Sequence, residues 1–111
     1  MKSLNMKRPQ IVQSVKETLR KVAPSAEVIL YGSEARGDAR KDSDIDLLIL
    51  VDKEKITNQD IEDITDPLYE FGAETNYEIF ISPLVYTRSE WYNRPRTPFF
   101  INVMNEGIKL Q

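Results

Sequence analysis

Apolar positions change their period several times along the chain, and each change marks an element. Ile11, Val12, Val15, Leu19 and Val22 recur at helical spacing. Pro9 suits a first helical turn, and Pro24 closes the pattern, so a helix is predicted from about Pro9 to Val22. Glu27 to Tyr31 reads as a short strand. Gly32 to Arg36 is a turn leading into one or two helical turns, and Arg40 to Ser43 is a polar loop. Ile45 to Val51 is apolar on both faces, the mark of a central strand covered on both sides. Thr57 and Asp60 make a capping-box-like start to a helix with Ile61, Ile64, Leu68 and Phe71 on one face. Pro67 inside that pattern predicts a kink or two abutting helices. Tyr77 to Ile81 alternates as a strand, Pro83 disturbs it, and Leu84 to Tyr86 extends it past a bulge. Thr97-Pro98 opens a last helix through Phe99, Phe100, Val103 and Met104, and Gly107 ends it. The order helix, strand, helical turn, strand, helix, strand, helix predicts an α/β fold, a small mixed β-sheet flanked by helices.

A chain of 111 residues has the size of one domain, 1–111, with a single core and no separate domain for gripping a second substrate. Its net charge of −3 argues against general duplex nucleic-acid binding, which calls for a basic surface. The absence of cysteine and histidine excludes disulfides, zinc sites of thiolate or imidazole type, and imidazole acid–base chemistry. Any bound metal must be held by oxygen, which points to a hard cation, magnesium or manganese. Met1 to Gln10 has no apolar leader-like region and no run approaches membrane-spanning length, so a soluble, cytoplasmic protein with no membrane partner is expected.

Candidate chemistry concentrates in two neighbouring segments. In a strand, side chains two apart share a face, so Asp44 and Asp46 stand side by side at the mouth of the central strand. Their face continues as Leu48 and Leu50, and the other carries Ile45, Leu47, Ile49 and Val51. Two partly desolvated carboxylates must share a proton, find cations, or hold a metal ion. Nothing basic lies within the strand, and a divalent cation is the economical answer. Upstream, Gly32 directly after a strand allows a sharp turn and a close approach by phosphate, and Ser33 adds a hydroxyl donor. A lone Gly-Ser is most often an ordinary strand-to-helix turn. It is not a P-loop, since Gly32 to Gly37 is not followed by Lys-Ser or Lys-Thr. Beside a metal-holding pair, the same turn becomes what chemistry on a nucleoside triphosphate requires.

Gly32-Ser33-x-x-Arg36-Gly37 followed by Asp44-x-Asp46-Leu47 resembles the signature of the DNA polymerase beta-like nucleotidyltransferase superfamily, and the short chain resembles its minimal nucleotidyltransferase branch. The resemblance covers Ile11 to about Ile81. It implies the polymerase beta-like palm fold and magnesium-dependent transfer of a nucleoside monophosphate, AMP from ATP, to a hydroxyl acceptor with release of pyrophosphate. It also implies a frequent partner, small all-helical HEPN-type proteins with which minimal members form toxin–antitoxin pairs, the antitoxin adenylylating the toxin. On this pattern Asp44 and Asp46 are catalytic metal ligands, and Gly32, Ser33 and Arg36 bind the nucleoside triphosphate. Arg40 and Lys41 share the loop with Arg36 but fit a solvated loop equally well.

Active members usually add a third acid from a neighbouring strand. Glu78, flanked by apolar residues, is the best candidate as the third catalytic and metal-binding carboxylate, with Glu74 second. The family's more usual residue there is Asp. Trp91, Tyr92, Phe99 and Phe100 make the last third aromatic, which fits side chains capping the open part of a small sheet. A partner surface is the sharper alternative. The rival to an enzyme is an inactive nucleotide-binding or antitoxin module acting by protein contact alone. A phosphate-binding α/β domain of unrelated function is a third reading.

Overall fold

The computed structural model describes residues 7–74 and 79–111. Its elements run α1 (Arg8–Val22), β1 (Glu27–Tyr31), α2 (Gly32–Arg36), β2 (Ile45–Val51), α3 (Asn58–Glu74), β3 (Ile81–Thr87), α4 (Arg88–Tyr92), α5 (Pro98–Glu106) and β4 (Ile108–Lys109). Among the described residues these strands form one mixed sheet in the order β3-β2-β1-β4. β1 is antiparallel to β2 and β4, and β2 is parallel to β3.

β2 is central, and its residues from Leu47 to Leu50 are fully buried. Its alternation divides the core. Ile45, Leu47, Ile49 and Val51 join Val28 and Leu30 beneath Ile11, Val15 and Leu19 of α1 and Ile64 and Leu68 of α3. Leu48 and Leu50 join Ile29 on the opposite face, beneath Trp91 of α4 and Phe100 and Val103 of α5. The expected capping role of the aromatic third therefore holds for Trp91 and Phe100. Phe99 stays part-exposed. Gly107 ends α5 where the chain presses on β1: a Cβ there would overlap Ile29 and the Val103 carbonyl.

Three expectations need correction. The third strand does not run Tyr77 to Ile81. Ile79 and Phe80 precede it, Tyr77 and Glu78 lie outside the described residues, and the strand passes through Pro83 without a break. Ile45 N donates to Phe80 O at 2.9 Å. In a parallel ladder, alternate residues then face β2, and the nitrogen of Pro83 points to the free edge, where no N–H is needed. α3 is one helix through Pro67, so of the two expected outcomes the pair of abutting helices does not form. Ile64 and Leu68, on either side of the proline, are both anchored in the core, and the residue four back, Asp63, is exposed so that water can reach its carbonyl. Finally, α4 and β4 were not expected. The signal for α4 was present: Thr87 and Glu90 form a capping box, with Glu90 N donating to Thr87 Oγ1 at 3.0 Å and Thr87 N to Glu90 Oε1 at 2.9 Å. No helix among the described residues is long and apolar enough to cross a membrane.

Candidate active site

β1 ends at Tyr31, which pairs with Asp46 of β2, and the chain turns at once into α2. The turn uses Gly32 at φ +73°, a conformation L side chains rarely adopt. A second constraint is steric. A Cβ on Gly32 would overlap Oδ2 of Asp46 and lie 3.3 Å from its Cγ. Gly32 is thus required by its own backbone angle and by the carboxylate beside it. The two motifs separated in sequence meet here, main chain of the Gly-Ser turn against side chain of the acidic strand.

Asp46 is half-buried and Asp44 exposed at the strand mouth. Burial pushes the Asp46 carboxyl above its usual range, the neighbouring Asp44 charge adds to the push, and Arg36 opposes it. No hydrogen bond to the side chain of either aspartate is made among the described residues, so the protein leaves their oxygens free. Two adjacent carboxylates offering only oxygen donors, one of them held half-buried beside the other, suit a hard divalent cation. They are not joined by a third acid among the described residues, where no group of three such side chains could hold a metal. The β3 position in register with Asp46 is Ser82. Glu78 lies outside the described residues, and Glu74 is the exposed last residue of α3.

Arg36, at the end of α2, is exposed and shared between two carboxylates. Its Nε donates to Asp38 and its Nη1 to Glu106 of α5, both at 3.3 Å. Such exposed pairs contribute little and exchange readily, and Nη2 carries no protein partner among the described residues. Arg36 lines a cavity of about 230 Å³ with Tyr31, Gly32, Phe99, Asn102 and Glu106. The Tyr31 ring meets Phe99 edge-on at 5.6 Å. Burial, followed by the Asp46 and Tyr86 oxygens, pushes the Tyr31 hydroxyl up to about 12, which keeps it protonated. Arg40 and Lys41 remain exposed on the loop.

One residue of the site region was not anticipated. Arg8, in the first turn of α1, forms an ion pair with Glu34 of α2 in which both side chains are less than one-fifth exposed. The same guanidinium donates to Ser43 O at 2.8 Å and Lys41 O at 3.3 Å. It ties the Gly-Ser helix to the loop that delivers Asp44. In the sequence Arg8 is one more basic residue before a helix, and nothing local distinguishes it.

Known proteins resemble this chain in sequence and in fold. The profile of the Nucleotidyltransferase domain family matches residues 10–100. A Methanocaldococcus jannaschii protein named as a candidate protein adenylyltransferase is 37% identical over 83 residues, which span 75% of this chain and 76% of the relative. A solved structure described as a candidate minimal nucleotidyltransferase superposes with a TM-score of 0.59 at 24% identity, covering 94% of this chain and 96% of that one. A toxin–antitoxin crystal structure with AMP-PNP superposes with a TM-score of 0.56 at 16% identity, covering 95% of this chain and 73% of that one. With the family profile spanning most of its length, the chain belongs to the nucleotidyltransferase domain family and is a nucleotidyltransferase with the small α/β fold of its minimal members.

Proposed function

We propose that the protein moves AMP from ATP to a hydroxyl on a partner protein, with magnesium or manganese at Asp44 and Asp46, and that it serves as the antitoxin to a small helical HEPN-type toxin. The observation carrying this reading is the packing of Gly32 against Asp46, which sets a phosphate-admitting turn beside a carboxylate pair. In this reading Gly32 and Ser33 hold the triphosphate through main-chain N–H groups and the Ser33 hydroxyl, and Arg36 exchanges Glu106 and Asp38 for phosphate oxygens. Glu78 is assigned the third carboxylate. The cation supplies charge neutralisation on the phosphates and alignment of the attacking hydroxyl. The acceptor oxygen bonds to the α-phosphorus, its bond to the β-phosphate bridge oxygen breaks, and pyrophosphate leaves as the acceptor proton is lost. The adenylyltransferase name of the archaeal relative and the AMP-PNP in the toxin–antitoxin structure support adenylyl transfer and a toxin partner.

The register of β3 favours a second reading, an inactive module that neutralises its partner by contact, because Ser82 rather than an acid lies beside Asp46. One experiment separates them. Labelled ATP, magnesium and the product of the neighbouring gene are incubated with wild-type protein, Asp46→Asn and Glu78→Gln. Transfer of label by wild type, lost in Asp46→Asn and reduced about 100-fold or more in Glu78→Gln, supports the enzyme with all three acids. Neutralisation of the partner without transfer, equal in wild type and Asp46→Asn, supports the contact module. Wild-type rates in Glu78→Gln would remove Glu78 from the site.

A further inference from the structure

Asp46 stands in a row that crosses three strands. Tyr31 of β1 pairs with it on one side and Ser82 of β3 on the other. Gly32 follows Tyr31 and packs against the Asp46 carboxylate from the β1 side. Register partners share a sheet face, as the next pairs along show: Leu48 and Leu50 meet Leu84 and Tyr86 in the cluster under α4 and α5. Ser82 therefore faces the same way as Asp46, one strand spacing of about 4.8 Å across. It is part-exposed.

The Ser82 hydroxyl is unused. Ser43, Thr57, Thr87 and Thr97 engage theirs with main-chain N–H groups of a loop and of helix starts. Ser82 Oγ makes no hydrogen bond among the described residues. Its main chain is fixed in the ladder with β2, so the hydroxyl is held level with the Asp46 carboxylate.

In-line displacement at phosphorus requires the entering oxygen to lie opposite the leaving one. With the pyrophosphate end of a nucleotide at Gly32 and its α-phosphorus at Asp46, the entering oxygen comes from the β3 side. Ser82 stands there. Tyr31 carries a hydroxyl on the same face, but on the side of the leaving group.

We propose that Ser82 is itself an acceptor, and that the protein adenylylates its own chain at Ser82 Oγ. This rests on the nucleotidyl-transfer reading above and adds a second acceptor to the partner's hydroxyl. The bond from Oγ to the α-phosphorus forms, and the bond from that phosphorus to the β-phosphate bridge oxygen breaks. Pyrophosphate leaves on the Gly32 side, and the Oγ proton passes to water at the open strand mouth. A hydroxyl built into the neighbouring strand needs no encounter from solution, the advantage of an attacking oxygen held about 3–3.5 Å from its target.

Intact-mass spectrometry of the wild-type protein, before and after incubation with magnesium ATP and without any partner, tests the assignment. A gain of one AMP per chain is expected, with fragmentation placing it on Ser82. Ser82→Ala should gain none, and Ser82→Thr, which keeps a hydroxyl at the same place, should gain AMP. Fragmentation of the wild type carries the test if the alanine variant fails to fold. AMP on Tyr31, Tyr86 or any other residue in place of Ser82 overturns the proposal. Undiminished gain in Asp46→Asn overturns it too, since the chemistry would then lie outside this site. So does a wild-type chain that binds magnesium ATP in calorimetric titration yet stays unmodified; transfer of AMP to the partner in that case leaves the nucleotidyl-transfer reading standing. A wild type that binds no magnesium ATP overturns that reading and the proposal together.

Discussion

Gly32 and Asp46 compete for one space. The Asp46 carboxylate fills the volume that a side chain on Gly32 would need, and Gly32 takes a backbone angle of φ +73° to make the turn beside it. Strand pairing fixes this meeting, because Tyr31, the residue before Gly32, is in register with Asp46. The turn and the acid are therefore held against each other.

Gly32→Ala follows from that relationship. The new methyl is strained at this φ and drives Asp46 from its position. Stability should fall by roughly 1–3 kcal/mol, the usual cost of a non-glycine residue in a sparsely populated region. Transfer should fall about 100-fold or more, since misplacing a group by about 1 Å has that effect. Urea denaturation and a turnover assay read the two effects. Wild-type transfer in a folded Gly32→Ala protein would refute a role for the contact.

Asp46→Asn separates chemistry from stability. Asp46 is raised by burial and by the Asp44 charge, so its ionised form destabilises the folded apo protein. The amide should raise the melting temperature in chelator while abolishing transfer. Magnesium should raise the melting temperature of wild type and leave that of the variant nearly unchanged. An apo variant less stable than wild type would argue against the repulsion.

The parts legible in the sequence were those fixed by local pattern. β1, α2 and β2 have the bounds their residues predict, and the faces of β2 divide as alternation requires, with Asp46 on the Leu48–Leu50 side. What was misread depended on the neighbours. Pro83 disturbs a strand only if its nitrogen faces a partner, and whether it does is decided by β3 being an edge strand. Pro67 breaks a helix unless core contacts on both sides hold it. At the candidate site, the Gly-Ser turn and the acidic pair were visible as motifs. The contact between them, and the link from Arg8 to Glu34 and Ser43, arise from residues distant in sequence.

Arg8→Ala should loosen that link. The lost bonds involve a charged donor, and each such bond contributes about 1.5–3 kcal/mol in favourable settings. The expected loss of stability is therefore of order 2 kcal/mol. Glu34 is left without its cation and the Asp44 loop without its anchor, so magnesium affinity should fall along with stability. Arg8→Lys, which cannot reach several acceptors at once, should fall between the two. Hydrogen exchange across residues 41–44 that stays at wild-type rates in Arg8→Ala would show that the loop does not depend on it.

The start of α3 supplies a pH test away from the site. Asp60 Oδ1 accepts from Lys53 Nζ at 2.7 Å, and Oδ2 accepts from Thr57 N at 3.0 Å. Lys53 first, then Thr57, pull the Asp60 carboxyl down to about 2. The folded value lies below the unfolded one, near 3.9. The charge therefore stabilises the fold fully above about pH 4, and its contribution fades as pH falls through about 2. Asp60→Asn keeps an acceptor for Thr57 N and removes only the charge. The variant should melt below wild type at pH 6, and the gap should close between about pH 4 and 2. Because its partner Lys53 is exposed, the effect is modest, and the Lys53 share should shrink in high salt. Melting curves of both proteins from pH 2 to 7 decide it, and a gap that stays constant across that range would assign the stabilisation to the hydrogen bond alone.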